Sequence, residues 1–270
     1  MERITFKIRY MNGDASSGQL DMYDASVSLQ GFAKALSITT HAMLNDGEVR
    51  KKGNRAEGAK LYISPSRKGS FEELITLAID NKVALAIGTS VVGAVFYDLI
   101  KWTWSKTLDM DYRPRTSRVK KLANRKEPFI GEMEEALEIP LEQAHKPIKQ
   151  CNDMVIELVR PRVGEVIRMD IETLKSVSIR TEPDIIDNIL GNVTRYNILT
   201  GIGRFYDDEL EHTVSFKVDE KAGSSLRRRI TWSLHHAQEE GGGKLLLSAR
   251  KVVSAKGITK RYLIEKVRRA

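Results

Sequence analysis

The chain has 270 residues, of which 30% are charged and 41% hydrophobic, enough apolar material for two cores and too much for a disordered polymer. A single cysteine, Cys151, excludes an intramolecular disulfide framework and suits a reducing compartment. The net charge of +8 is uneven: residues 189–270 hold 16 Lys/Arg against 9 Asp/Glu, and the first 188 residues hold 28 against 27. That asymmetry favours an anionic partner for the C-terminal third, such as nucleic acid, nucleotide or lipid headgroup. A basic surface that serves only solubility is the competing reading.

At the N-terminus Ile4, Phe6, Ile8 and Tyr10 share one face of a strand, and Arg3, Thr5, Lys7 and Arg9 share the other. Without an uninterrupted apolar core this stretch is not expected to be a secretory signal. Asn12-Gly13-Asp14 signals a turn, and a short strand near Gln19–Met22 is expected to pair back. Asp24 then offers an N-cap to a helix whose stripe of Val27, Phe32, Leu36 and Met43 reaches Leu44, where Asn45-Asp46-Gly47 ends it. Residues 50–58 read as a polar loop, Leu61–Ile63 as a strand, Arg67-Lys68-Gly69-Ser70 as a turn and Phe71–Ile79 as a further strand. Residues 1–80 thus form a small α+β domain.

The segment 81–107 is expected to be one hydrophobic helix, uncharged from Val83 to Tyr97. Gly88, Gly93 and Ala94 would allow close helix approach, and Trp102 and Trp104, with Phe96 and Tyr97, gather at one end as in an aromatic belt. Three readings stay open: a buried core helix, an oligomer seam, or a membrane span. The uncharged run is shorter than the roughly 20 residues a bilayer needs, although Leu99 and Ile100 extend it past Asp98.

Residues 108–188 read as a basic linker and helical connector. Seven cations and no anion occur between Arg113 and Lys126, as in a solvated linker or a surface for headgroups or phosphates. A glutamate-rich helix interrupted by Pro140 follows, then an amphipathic helix over Lys146–Val159, a strand near Val163–Met169 and a short helical turn at Pro183-Asp184.

From residue 189 the pattern changes to short runs punctuated by glycine: Val193–Leu199, Gly203–Tyr206, Thr213–Val218, Arg229–Leu234, Leu245–Val253 and Thr259–Val267. Such a series predicts a small closed or nearly closed barrel. On it, Arg204, the run Arg227-Arg228-Arg229 before Trp232, and Lys260-Arg261-Tyr262 interleave cations with aromatics, as single-stranded nucleic acid requires. The bland alternative makes the aromatics core and the cations rim.

Chemistry-bearing motifs are sparse. His41, His145, His212, His235 and His236 have no metal-ligand spacing, and Asp207-Asp208-Glu209 reads as a hairpin tip. Thr200-Gly201-Ile202-Gly203 lacks the rest of a phosphate-loop fingerprint, and no Walker A, GxSxG or HExxH motif occurs. No catalytic residue, metal or cofactor is assigned.

Residues Val193–Tyr206 with Thr213–Phe216, Lys68–Glu72, and the hydrophobic segment ending in Trp102-x-Trp104 resemble a pattern in uncharacterised bacterial proteins of phage-defence and mobile-element neighbourhoods. The resemblance implies a non-enzymatic effector or sensor partnered with another protein. The expectation is an α+β chain of four parts, 1–80, 81–107, 108–188 and 189–270. It would self-associate through its hydrophobic helix in the inner membrane, with cytoplasmic domains. An oligonucleotide or nucleotide signal would regulate it, alongside a neighbouring-gene protein, in antiviral defence. The alternative is a soluble, cytoplasmic nucleic-acid-binding or scaffold protein whose central helix is core; an enzyme of unrecognised type is a third possibility.

Overall fold

The computed structural model describes residues 1–50, 55–64, 71–125, 129–219, 222–237 and 242–270. It divides into unit 1, Met1–Asn124 with Met133–Ser178, and unit 2, Arg125–Glu132 with Ile179–Ala270. The turn expected at Arg67–Ser70 lies outside the described residues, as does most of the Lys68–Glu72 stretch.

Unit 1 is built on an antiparallel sheet in the order β2-β3-β1-β4-β5. Its strands are β1 (Glu2–Met11), β2 (Ala59–Ser64), β3 (Glu72–Ile79), β4 (Val155–Arg160) and β5 (Gly164–Met169). The alternation in β1 is realised: Ile4, Phe6, Ile8 and Tyr10 are all buried. On the other face an ionic ladder crosses the sheet. Glu72 of β3 accepts from Lys7 and Arg9 at 2.8 and 2.6 Å, and Glu157 of β4 meets Arg9 at 3.6 Å and Arg168 of β5 at 3.0 Å.

Two of the sequence-based boundaries shift here. The strand expected at Gln19–Met22 is absent: a 3-10 turn over Gly13–Ser17 leads straight into α1 (Met22–Leu44), because the Asp21 side chain accepts from the Asp24 N–H and starts the helix there. The helix expected over Lys146–Val159 stops early. Helix α6 (Lys146–Gln150) ends at Cys151, and Val155–Val159 becomes a fully buried strand, a pattern that apolar periodicity alone cannot distinguish from helix.

The hydrophobic segment is two helices. Helix α2 (Asn81–Ile87) ends at Gly88, whose φ of 98° is costly for residues bearing a Cβ, and α3 (Val92–Thr107) begins after the bend. Along α3, Val95, Phe96, Leu99, Ile100, Trp102 and Trp104 are buried. Phe96 meets Phe6 of the sheet at 5.9 Å between ring centroids, and Trp104 meets Phe32 of α1 at 6.2 Å. The Trp104 indole N–H donates to Thr39 Oγ1 at 3.0 Å. Burial of each such side chain is worth about 1.5–3 kcal/mol, so α3 anchors the core. The expected aromatic belt is therefore corrected: Trp102 and Trp104 are interior, at 5% and 0% exposure. Of the small residues, Gly88 forms the bend, Gly93 is half-buried and Ala94 exposed in the first turn of α3. Among the described residues no helix is long and apolar enough to cross a membrane.

Asp98 explains why a carboxylate sits inside this run. It is buried, and it accepts from the Tyr112 hydroxyl (2.8 Å), the Arg115 and Thr116 N–H groups (3.0 and 2.7 Å) and the Thr116 hydroxyl (2.6 Å). That loop opens α4 (Ser117–Ala123), which buries Val119 and Leu122. Much of the basic run is thus a folded helix and not a free linker. Helix α5 (Phe129–Ala144) continues through Pro140. Its first residues, Phe129–Glu132, belong to unit 2 and the remainder to unit 1.

His145, after α5, is fully buried. The Leu141 carbonyl, 2.6 Å from Nδ1, can only accept, so Nδ1 carries the proton and Nε2 faces the Thr173 hydroxyl at 2.9 Å. Thr173 belongs to α7 (Ile171–Val177), which is capped by Asp170 and was not expected from the sequence.

Unit 2 is a closed five-stranded barrel, β10-β8-β7-β6-β9. Its strands are β6 (Ile179–Tyr196), β7 (Ile202–Asp207), β8 (His212–Val218), β9 (Leu245–Ser254) and β10 (Thr259–Arg269). The long β6 pairs with β9 along its first part and β7 along its second, with register shifts inside each pairing, and Gly191 pairs with both. It includes Pro183-Asp184, where a helical turn was expected. β8 and β10 pair in parallel and complete the wall. Helix α8 (Ser224–His236) lies between β8 and β9 in the chain and packs on the barrel through Ile230 and Ser233. Strand order and helix position are those of the OB type of Greek-key barrel. The core is Val193, Phe205, Val214, Phe216, Leu247 and Tyr262 with their neighbours.

Burial pushes the His145 imidazole down to about 4 from its ordinary 6.5. The folded value lies below the unfolded one, so His145's contribution is complete above pH 6.5 and is lost as pH falls towards 4. At about 1.4 kcal/mol per unit the loss is about 3 kcal/mol. Urea unfolding at pH 7 and pH 4 is expected to show a stability difference that shrinks by that order in His145→Gln; an unchanged difference would contradict the buried neutral imidazole.

Candidate functional site

The residues expected to meet an anionic ligand fall on three parts of the barrel. Tyr262 faces inward, 1% exposed, and its hydroxyl donates to Asp207 Oδ2 at 2.6 Å. Asp207 is itself buried, and its Oδ1 accepts from the Glu209 and Leu210 N–H groups at 3.0 and 3.1 Å, closing the β7–β8 turn. Burial first, then the hydrogen-bonded carboxylate, hold the phenol well above its ordinary range. Tyr262 is a core strut, which corrects its assignment to ligand stacking. The neighbouring Asp208 pairs with Lys244 at 2.5 Å, and among the described residues no His, Cys, Asp and Glu group is arranged to hold a metal ion.

Arg204 and Arg261 lie on the outer strand wall. Arg195 pairs with Arg204, Arg204 with Ser215, and Ser215 with Arg261, so three arginines form one row across β6, β7, β8 and β10. Lys260 precedes Arg261 in the same strand. In OB barrels the face of the second and third strands, with the loop between the first and second, receives oligonucleotides. Here the chain's own residues 129–132 cover part of it. A Cβ on Gly131 would stand 2.8 Å from Ser215 Oγ, so only glycine allows this approach without a shift. Glu132 Oε1 accepts from Asn197 Nδ2 at 3.0 Å and the Thr200 hydroxyl at 2.8 Å, both in the β6–β7 loop. Arg261 is only 7% exposed, and Arg204 is committed to Ser215 and the Thr213 carbonyl at 3.4 and 3.2 Å.

Arg227, Arg228, Arg229 and Trp232 were expected around a strand and instead lie on α8. The helical stripe escaped notice because one of its buried members, Ser233, is polar; its hydroxyl donates to the Gly243 carbonyl at 2.5 Å and accepts from the Val193 N–H at 3.0 Å. Arg227 reaches the β6–β7 loop, donating to the Ile198 carbonyl at 3.3 Å. Arg229 donates to the Val267 carbonyl of β10. Arg228 is exposed one turn before Trp232 on the same side of the helix.

The Trp232 ring carries the Arg269 guanidinium 4.1 Å from its centroid and the His236 ring at 4.9 Å. It is therefore engaged within the barrel, and it positions a cation more than it offers a face to a base. Arg268 donates to Asn188 Oδ1. Between α8 and β6, β9 and β10 runs a groove of about 670 Å³ lined by Arg229, Lys266 and Arg268, with Asp187 and Glu265 also on its wall. Gly223 and Ser225, at the start of α8, line it too, and this helix has no side-chain N-cap. Lys266, Arg268 and Arg269 were missed from the sequence. Their signal was the alternation about buried Val267 at the end of β10, which leaves Lys266 and Arg268 exposed on the outer face.

Tyr262→Phe is expected to cost about 1–3 kcal/mol in urea unfolding, since it leaves a buried carboxylate short of a donor. Anion binding by the barrel should be unchanged in the same variant; a loss of binding at unchanged stability would return Tyr262 to the ligand surface.

Residues 6–175 match the family described as Domain of unknown function (DUF7946), and residues 186–268 match that described as Family of unknown function (DUF7947). The boundary between the two matches falls where the structure changes unit, at Ser178 and Ile179. Searches of curated proteins and of solved structures find no match to this chain. The first match covers more than half of the sequence, and on that ground the chain belongs to the DUF7946 family.

Proposed function

We propose that this chain is a non-catalytic binding protein whose barrel takes the phosphate backbone of an oligonucleotide at the surface shared by α8 and the end of β10. The observation that carries the reading is the convergence of cations from two distant stretches of sequence. Arg229 from the helix and Lys266 and Arg268 from the last strand line one groove; Arg269 is held over Trp232, and Arg228 is exposed one helical turn before that ring. Guanidinium groups held by a carbonyl, an amide oxygen and an aromatic ring lose little further freedom on meeting phosphate. With Trp232 already engaged, such a surface reads backbone charge and is largely indifferent to base identity.

Among the three readings of the hydrophobic segment, burial of α3 in unit 1 supports the one in which it is core. The wider role, an effector or sensor acting with a second protein in antiviral defence, is proposed on the resemblance of residues 193–206 and 213–216.

The test is fluorescence anisotropy of a labelled oligothymidine of about 20 nucleotides at two salt concentrations. Binding is expected to weaken with salt by a slope corresponding to about three to five phosphate contacts. The pair Arg228→Glu and Arg268→Glu is expected to lower affinity at least about tenfold, whereas Arg204→Gln on the covered strand face should change it less than about twofold. Absence of binding at low salt, or an unaffected charge-reversal pair, would overturn the proposal.

A further inference from the structure

Helix α1 and strand β2 leave a groove between them on unit 1. Its two ends, of about 330 and 410 Å³, share Ala33, Leu61 and Tyr62, so they form one channel along the strand. One end is apolar, floored by Ile8, Phe32, Leu36 and Ile75. The other is polar and takes in Thr40, Arg55 and Lys60. Thr40 is fully buried, and its hydroxyl has no hydrogen-bond partner among the described residues, which is uncommon for a buried polar group.

β2 stands last in the sheet order and, among the described residues, pairs with β3 alone. Its second row of backbone donors and acceptors therefore meets no strand there. Proteins usually blunt such an edge with charge or proline, yet Leu61-Tyr62-Ile63 is uninterrupted and apolar, with Tyr62 49% and Ile63 57% exposed. An edge strand beside a helix with an apolar groove between them is the geometry of strand-addition recognition, in which main-chain hydrogen bonds supply affinity and the groove reads side chains.

Charge identifies the occupant. Among the described residues from 50 to 64, Arg50, Arg55 and Lys60 stand against Glu57 alone. A second copy pairing through the same edge would bring these cations together, so self-association is disfavoured. Nucleic acid would meet the cations but has no use for the apolar floor. We propose that the groove receives an extended acidic segment of a partner protein. The segment adds to β2 as a further strand, its apolar side chains enter the Phe32–Leu36 end, and its carboxylates lie near Arg55 and Lys60.

The test uses the full chain and two labelled peptides of about eight residues, one alternating valine with aspartate and one alternating valine with lysine. Fluorescence polarisation is expected to show binding of the aspartate peptide alone. Ala33→Trp fills the shared middle of the groove from an exposed helix position and should weaken binding at least about tenfold. The exposed pair Arg55→Glu and Lys60→Glu should abolish the preference for the acidic peptide, and serves as the second variant if Ala33→Trp disturbs folding. Arg228→Glu with Arg268→Glu should leave peptide binding unchanged, which separates this site from the barrel surface. Binding of neither peptide, equal binding of both, indifference to both groove variants, or a dimer that Ala33→Trp dissociates would each overturn the proposal.

Discussion

The packing of α3 against β1 and α1 is the contact on which unit 1 depends. It commits Phe96, Leu99, Ile100, Trp102 and Trp104 to a dry interior, and with them most of the apolar side chains that a lipid or a second subunit would need. The Asp98 carboxylate, one turn from Trp102, is accommodated in that interior because the backbone and side chains of residues 112–116 surround it with donors. The loop fixed by that carboxylate then starts α4, so the basic stretch is ordered by an acidic residue that the sequence shows as an interruption. What remains exposed near the bend, Leu85 and Val91, is scattered.

The barrel follows a different economy. Its strand face, where OB barrels commonly bind, carries a row of arginines and is partly covered by the chain's own Gly131 and Glu132. Glu132 accepts hydrogen bonds in the β6–β7 loop as an anionic ligand would. The exposed cations stand instead on α8 and the last turnless stretch of β10, where Arg269, Trp232 and His236 hold one another in register. Fold alone assigns no ligand to this surface; its chemistry is that of fixed positive charge beside an open groove.

Much of this architecture was legible in the residues. The period-two alternation of β1, the stripe of α1, the strand at 72–79 and a C-terminal barrel all emerged as read, although the run Arg229–Leu234 proved helical and the first barrel strand begins at Ile179 and not after 189. The failures share a cause. Val155–Val159 and residues 95–107 of α3 are buried almost all round, so periodicity carries no phase, and α8 buries a serine where an apolar residue was sought. At the candidate site, Arg228, Arg229 and Trp232 were found by their local cation–aromatic pattern. Arg268 and Arg269 were not, since the contact of Arg269 with Trp232 and of Arg268 with Asn188 exists only once β10 closes the barrel. Tyr262 was misassigned for the converse reason: its neighbour Arg261 lent it a binding context that the barrel interior removes.

The most direct measurement is hydrogen–deuterium exchange on the full chain in detergent-free buffer, read over the peptides of α3. Slow exchange across residues 95–107, comparable with β1 and unaltered by detergent, liposomes or protein concentration, is the predicted result. Rapid exchange of α3 that becomes protected only on adding lipid, or only as concentration rises, would contradict the account and return the segment to a membrane or a partner copy.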